Sequence, residues 1–283
     1  MLKDIHKKIV DEVLVEGIAK SHISEIFTKK EKDLFNNVVD FYNDVYLQNP
    51  QIIERMNLLA NGTPIRDKYK WFEITQNELL GRGLNLNDGD VINIYLTDTL
   101  IDMAEYFHRE QPKLRNVFSY IHSQNPFKEE LGSQAWHRDG EDFRIFKAFI
   151  YLNDIGPSNG ALNYIKKSQF GGKWASITDN IIGNNYGRGW PIYFEPPQED
   201  VATAEGPVGT IYFVNTHGLH KGGMVNEGMR CMLSGCYLGE NAYTIVGEKS
   251  PDFVNFNKEG VTEIDYRSDE YEMLSDKQKS ILN

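Results

Sequence analysis

Apolar residues recur along this chain with two different periods, and the change falls near residue 114. Upstream, Leu2, Ile5, Ile9, Val10 and Val13 follow the helical repeat. Thr28-Lys29-Lys30-Glu31 has the reciprocal form of a capping box. Leu34, Phe35, Val38, Val39, Phe41, Tyr42, Val45 and Tyr46 supply the apolar side of the helix behind it. Gln48-Asn49-Pro50 should end that helix, and a further one should start near Asp98, carrying Ile101, Met103, Ala104 and Phe107. The first hundred residues are therefore expected to be helical, with loop chemistry at Ala60-Asn61-Gly62-Thr63-Pro64 and at 85–89.

Downstream the texture is that of strands. Residues 117–122, 144–152, 160–165, 208–215 and 230–238 are short β-branched or aromatic runs. Turns such as Gly156-Pro157-Ser158-Asn159-Gly160 separate them. Many short strands with Gly and Pro between them predict a sandwich or barrel of the jelly-roll kind. The expected class is mainly β with N-terminal helices (α+β), the helices packed on one sheet. A single domain over 1–283 follows: mostly helical support over 1–112, the jelly-roll core over 113–240 and a C-terminal extension over 241–283. The stretch 171–206, rich in Gly, Asn, Trp and Pro, reads as a lid loop, because connections of that length usually serve a site.

Charge and cysteine content narrow the setting. A formal net charge of -11 disfavours nucleic acid or an anionic membrane as partner, since both reward clustered Lys and Arg. No run has the apolar length of a membrane span, and the charged N-terminus lacks the apolar core of a signal peptide. The two cysteines, Cys231 and Cys236, would lie roughly 16 Å apart on opposite faces of one strand, beyond disulfide reach. Free thiols fit a reducing compartment, so a cytoplasmic protein is expected.

Candidate chemistry centres on Trp136-His137-Arg138-Asp139. A histidine and a carboxylate two positions apart point the same way on an extended backbone. One more histidine from a distant strand would complete the two-histidine, one-carboxylate set that holds Fe(II) on one face and leaves the other open. Alone the pair is weak: with seven histidines in the chain, chance supplies about 0.5 His-x-Asp pairs. The conjunction is more specific. After His137-x-Asp139 come Asn159-Gly160-Ala161-Leu162, then Gly209-Thr210-Ile211-Tyr212-Phe213, then His220-Lys221-Gly222-Gly223, and Arg230 ten residues past that histidine.

In that order the chain resembles the phytanoyl-CoA dioxygenase family of Fe(II)/2-oxoglutarate-dependent oxygenases, over about residues 114–240. Two departures stand out. The family's Pro-Gly-Ser-His after the Asn-Gly hairpin is Lys166-Lys167-Ser168-Gln169 here, and its acidic residue after Gly209 is Thr210. The resemblance implies a double-stranded β-helix (jelly-roll, cupin-like) core, with His137, Asp139 and His220 as metal ligands. It also implies Fe(II), 2-oxoglutarate and O2 as cofactor and co-substrates, and hydroxylation of a small molecule with release of succinate and CO2. Arg230 would bind the distal carboxylate of 2-oxoglutarate, because a guanidinium grips a carboxylate with two parallel bonds. The spacing to Arg230 favours His220 over His217 as third ligand. Phe149 and Asn125 are candidates to border the co-substrate, though a core aromatic and an ordinary Asn-Pro turn explain them equally well. Trp136, Tyr120, Arg188 and Trp190 are candidate substrate contacts on the same footing. In related halogenating enzymes the ligand carboxylate is replaced by a small residue, so Asp139 favours oxygenation. The rival reading is a non-catalytic, cupin-like binder of small ligands whose histidines are structural. A zinc hydrolase would need a general base that the sequence does not offer. Neither substrate nor oligomeric state is written in the chain.

Overall fold

The computed structural model describes residues 2–48, 50–61, 73–75, 88–124, 132–178, 196–242 and 273–282. Asn125, Arg188 and Trp190 lie outside them, as do 179–195 of the expected lid and 243–272 of the C-terminal extension.

The N-terminal half supplies α1 (Asp4–Glu16), β1 (Ile18–His22), α2 (Ile23–Ile26), α3 (Lys29–Phe41), α4 (Pro50–Ala60), β2 (Glu73–Thr75), α5 (Asp88–Tyr95) and α6 (Asp98–His108). The expected capping box is present: Thr28 N–H donates to Glu31 Oε2 at 2.6 Å, and Glu31 N–H donates to Thr28 Oγ1 at 3.4 Å. Glu31 also accepts from the Thr99 hydroxyl at 3.0 Å, so one carboxylate ties the start of α3 to α6. Pro50 opens α4, where its missing N–H has no cost, after a wide turn over Tyr42–Tyr46.

The region read as wholly helical contributes two strands. β1 follows α1 through Gly17, whose φ of +86° suits a residue without Cβ; a Cβ there would come within 2.1 Å of the Tyr164 hydroxyl. β1 then pairs antiparallel with β7 (Thr210–Asn215).

Downstream come β3 (Pro112–His122), β4 (Phe146–Tyr151), β5 (Leu162–Ile165), β6 (Val201–Ala204), β7, β8 (His220–Lys221), β9 (Arg230–Gly239) and α7 (Asp276–Leu282). Among the described residues they form a six-stranded sheet, in the order β1-β7-β4-β9-β3-β2, and a three-stranded one, β6-β5-β8. Neighbouring strands in both sheets run antiparallel. β6 falls inside the stretch expected to be one lid loop; its alternating short side chains pair with β5.

Period-two alternation assigns the faces of the larger sheet. Phe146, Ala148 and Ile150 of β4, Ile211 and Phe213 of β7, and Leu233 and Tyr237 of β9 pack with the helices in the main core. Phe107, Phe146 and Phe213 stack there, with centroids 4.9 and 5.4 Å apart, and burying each ring contributes about 2–3 kcal/mol. The opposite face turns inward: Phe149, Tyr151, Tyr212, Val214 and Met232 meet Leu162 and Tyr164 of β5 and Ala204 of β6 in a second core. The two sheets therefore pack face to face, with helices covering the outer side of the larger one. Cys231 and Cys236 are both free and buried, on opposite faces of β9 as their spacing required. Among the described residues no helix is long and apolar enough to cross a membrane.

One helix-to-sheet contact carries a pH consequence. His108 ends α6, buried, with Nε2 3.2 Å from the Tyr237 carbonyl, and burial pushes its pKa down to about 3. The unfolded chain takes up that proton near pH 6.5, so between there and about 3 the unfolded state holds more protons. Stability must fall as pH drops through this window, by about 1.4 kcal/mol per pH unit for this one group. Urea midpoints at pH 6.5 and pH 5 should show the loss, and His108→Gln should shrink it by about 2 kcal/mol. An undiminished loss in the variant would show that His108 does not drive it.

Candidate metal centre

Two short backbone ties bring distant parts of the chain together at the inner edge of the smaller sheet. His137 N–H donates to the His220 carbonyl at 2.9 Å and His220 N–H to the His137 carbonyl at 3.0 Å. Residues so paired carry their side chains on one face, and the two imidazoles stand 4.2 Å apart, centroid to centroid. Asp139 is held by its own N–H, which donates to the Thr216 carbonyl at 3.0 Å. The extended run His137-x-Asp139 then turns the carboxylate toward the same point. Asp139 Oδ1 is 3.8 Å from His137 Nε2, and Oδ2 is 3.7 Å from His220 Nε2. Ligand atoms from all three residues lie within 4.8 Å of one another.

The tautomers follow from the partners. His137 Nδ1 lies 2.8 Å from the Ala135 carbonyl and His220 Nδ1 lies 2.9 Å from the Gly218 carbonyl. A carbonyl can only accept, so each Nδ1 carries the hydrogen and each Nε2 presents a lone pair. Burial, and then the neighbouring His137 ring, pushes the His220 pKa down to about 3, which keeps that ring neutral. Burial opposes the charge on Asp139, yet the Lys147 ammonium beside it holds its carboxyl well below the usual range. Two imidazole lone pairs and a carboxylate aimed at one point are a donor set made for a cation, with their Nδ1–H groups pinned as in metal sites generally.

The surroundings hold residues that the motif alone did not reveal. Lys147, on the inward face of β4, donates to Asp139 Oδ2 at 2.7 Å and lies 3.7 Å from Glu141 Oε1. Arg138, between the two ligands, donates to the carbonyls of His217 and Ser168. Ser168 Oγ in turn accepts from Leu219 N–H at 2.7 Å, so this serine braces the turn that leads into His220. A single lysine within an apolar strand was the available signal for Lys147; nothing local marked Arg138 or Ser168.

The other candidates divide. Arg230 opens β9, is 4 % exposed and faces His122 across the β3–β9 ladder. A Cβ on Gly222 would lie 3.2 Å from its Nη2, so the guanidinium rests against the chain two residues beyond His220. Two extended residues span roughly 7 Å, which puts a buried cation near the cluster. Phe149 and Tyr120 are on the same inward face, Phe149 opposite Ser234 and Tyr120 opposite Met232. Trp136 is half-buried, with Lys221 Nζ 5.2 Å from its ring centroid. His217 is not part of the cluster. It is buried edge-on to Phe143, and burial followed by Arg138 pushes its pKa down to about 4.

No family model and no curated protein matches the chain. Solved structures do. The non-heme alpha ketoglutarate dependent epimerase SnoN from nogalamycin biosynthesis superposes with a TM-score of 0.51 at 14% identity, covering 84% of this chain and 84% of that one. The same epimerase in complex with Fe3+, alpha ketoglutarate and nogalamycin RO gives 0.50 at 15%, covering 84% and 85%. AviO1 from Streptomyces viridochromogenes Tue57 gives 0.51 at 14%, covering 86% and 97%. At these identities the likeness is one of fold: the mixed helical and antiparallel-sheet architecture described above is shared along most of each chain.

Proposed function

We propose that this protein is an Fe(II)- and 2-oxoglutarate-dependent dioxygenase of the phytanoyl-CoA dioxygenase type that hydroxylates a small-molecule substrate. The single observation that carries the reading is the convergence of two imidazole Nε2 atoms and one carboxylate, from His137, His220 and Asp139, on one point. The two face-to-face sheets are then the halves of a double-stranded β-helix within one domain. Fold neighbours whose names include alpha ketoglutarate, one of them holding Fe3+ with it, support the same class. A non-catalytic binder gives no reason for three ligand groups to face one another with their outer nitrogens already pinned.

In this reading His137, Asp139 and His220 hold the metal by one face. Bound there, ferrous iron would couple oxidation of 2-oxoglutarate to succinate and CO2 with oxidation of the substrate by dioxygen. Arg230 takes the distal carboxylate of 2-oxoglutarate, and Phe149 and Tyr120 wall the inner chamber. Trp136 stands at the outer edge as a substrate contact. Asp139 occupies the position that a halide would need, which favours hydroxylation.

Mixing the protein with Fe(II) and 2-oxoglutarate without oxygen should produce the weak visible charge-transfer band of the chelate. Admitting oxygen should then release succinate, in one equivalent or less without substrate. A wild-type protein that gives neither under saturating additions does not have this function.

A further inference from the structure

Lys147 sits where a lysine has no packing reason to be. It lies between Phe146 and Ala148 on β4, its side chain 14% exposed, with Cys236 and Val214 beside it in the inward row of the sheet. A methionine or leucine would fill that place without a charge to desolvate, and buried ion pairs rarely outdo such replacements in stability. Its Nζ instead lies 2.7 Å from Oδ2 of the candidate ligand Asp139, with Glu141 Oε1 at 3.7 Å on the other side. Flanked by these two carboxylates, it is a cation set against the candidate ligand.

Both oxygens of Asp139 face the cluster, Oδ1 toward His137 and Oδ2 toward His220. Nothing in the backbone prevents the carboxylate from serving a metal through both. Lys147 occupies a lone pair of Oδ2 and leaves Oδ1 uncommitted. We propose that Lys147 is a positioning residue that holds Asp139 to a single metal-ligating oxygen, trading metal affinity for an open coordination face that accepts the anionic keto acid. This rests on the metal-centre reading above. A fixed positive charge beside the ligand repels a divalent ion and attracts a dianion, so the same residue acts on the two ligands with opposite sign.

That opposition of sign is what the experiment reads. Co(II) affinity, and then 2-oxoglutarate affinity of the Co(II)-loaded protein, are measured by calorimetry for wild type, Lys147→Met and Lys147→Arg. The methionine variant should bind Co(II) about 10-fold more tightly and 2-oxoglutarate about 10-fold more weakly, and arginine, which keeps donor and charge, should stay within about 3-fold of wild type on both. The visible Co(II) bands of the methionine variant should also weaken, as they do when coordination number rises. Damage to the fold would lower both affinities together, and that result, or two unchanged affinities, overturns the proposal while leaving the metal centre standing. A wild-type protein that takes up no Co(II) overturns the metal centre and this role with it.

Discussion

His137→Ala is expected to weaken Fe(II) binding about 10³-fold, equivalent to about 4 kcal/mol, and to remove the anaerobic chelate band at any practical metal concentration. His137 Nδ1–H is pinned to the Ala135 carbonyl, so its Nε2 is delivered to the metal point at no orientational cost. The paired backbone bonds with His220 and the Asp139 tie to Thr216 remain when the ring is deleted, and only the side-chain bond to the Ala135 carbonyl goes with it. The effect should therefore be confined to the metal. Because His137 is only part-buried, its side chain 16% exposed, the vacated space opens to solvent. Added imidazole should restore part of the chelate band in His137→Ala. In His220→Ala, where the lost ring was 6% exposed, it should restore much less. Anaerobic Fe(II) titrations with and without millimolar imidazole check both halves. Retention of the band in His137→Ala would remove this residue from the ligand set.

Local chemistry decided which parts of the molecule could be read from its sequence. The Thr28 capping box was legible because both of its bonds join residues three apart. The strands β4, β7 and β9 were legible because their β-branched and aromatic runs lie between clear turn signals. β1 was not. Ile18-Ala19-Lys20-Ser21-His22 is five residues of mixed character between helices, and its pairing with β7, almost two hundred positions away, makes it a strand. The same division runs through the site. His137 and Asp139 announce each other at a spacing of two, and His220 was placed by its distance from Arg230. Lys147 reaches Asp139 only because the chain between them turns back onto the inward face of β4. Arg138, the variable position of the motif, is fixed by carbonyls on two later turns that no spacing rule connects to it.

Arg230→Met should separate co-substrate binding from metal binding. The guanidinium is buried at the start of β9 on the inward face, and its charge bears on Tyr151, whose hydroxyl burial pushes up to about 12 while Arg230 opposes the rise. A buried arginine offers a carboxylate two parallel charge-assisted bonds, together worth roughly 3 kcal/mol, so the methionine variant should bind 2-oxoglutarate about 100-fold more weakly. Methionine keeps most of the volume and removes a charge from the interior, so the chain should still fold. Fe(II) affinity should stay within about 3-fold of wild type, because Arg230 holds the far end of the co-substrate and not the ion. Pyruvate supplies the internal control: it carries the same chelating end without the distal carboxylate. Wild type should prefer 2-oxoglutarate over pyruvate by about the factor that the variant loses, and in Arg230→Met the two keto acids should bind alike. Lys147→Met, in contrast, weakens both keto acids together, since it acts at the chelating end that they share. If Arg230→Met kept the wild-type preference for the dicarboxylate, the distal carboxylate would have to be held by another residue.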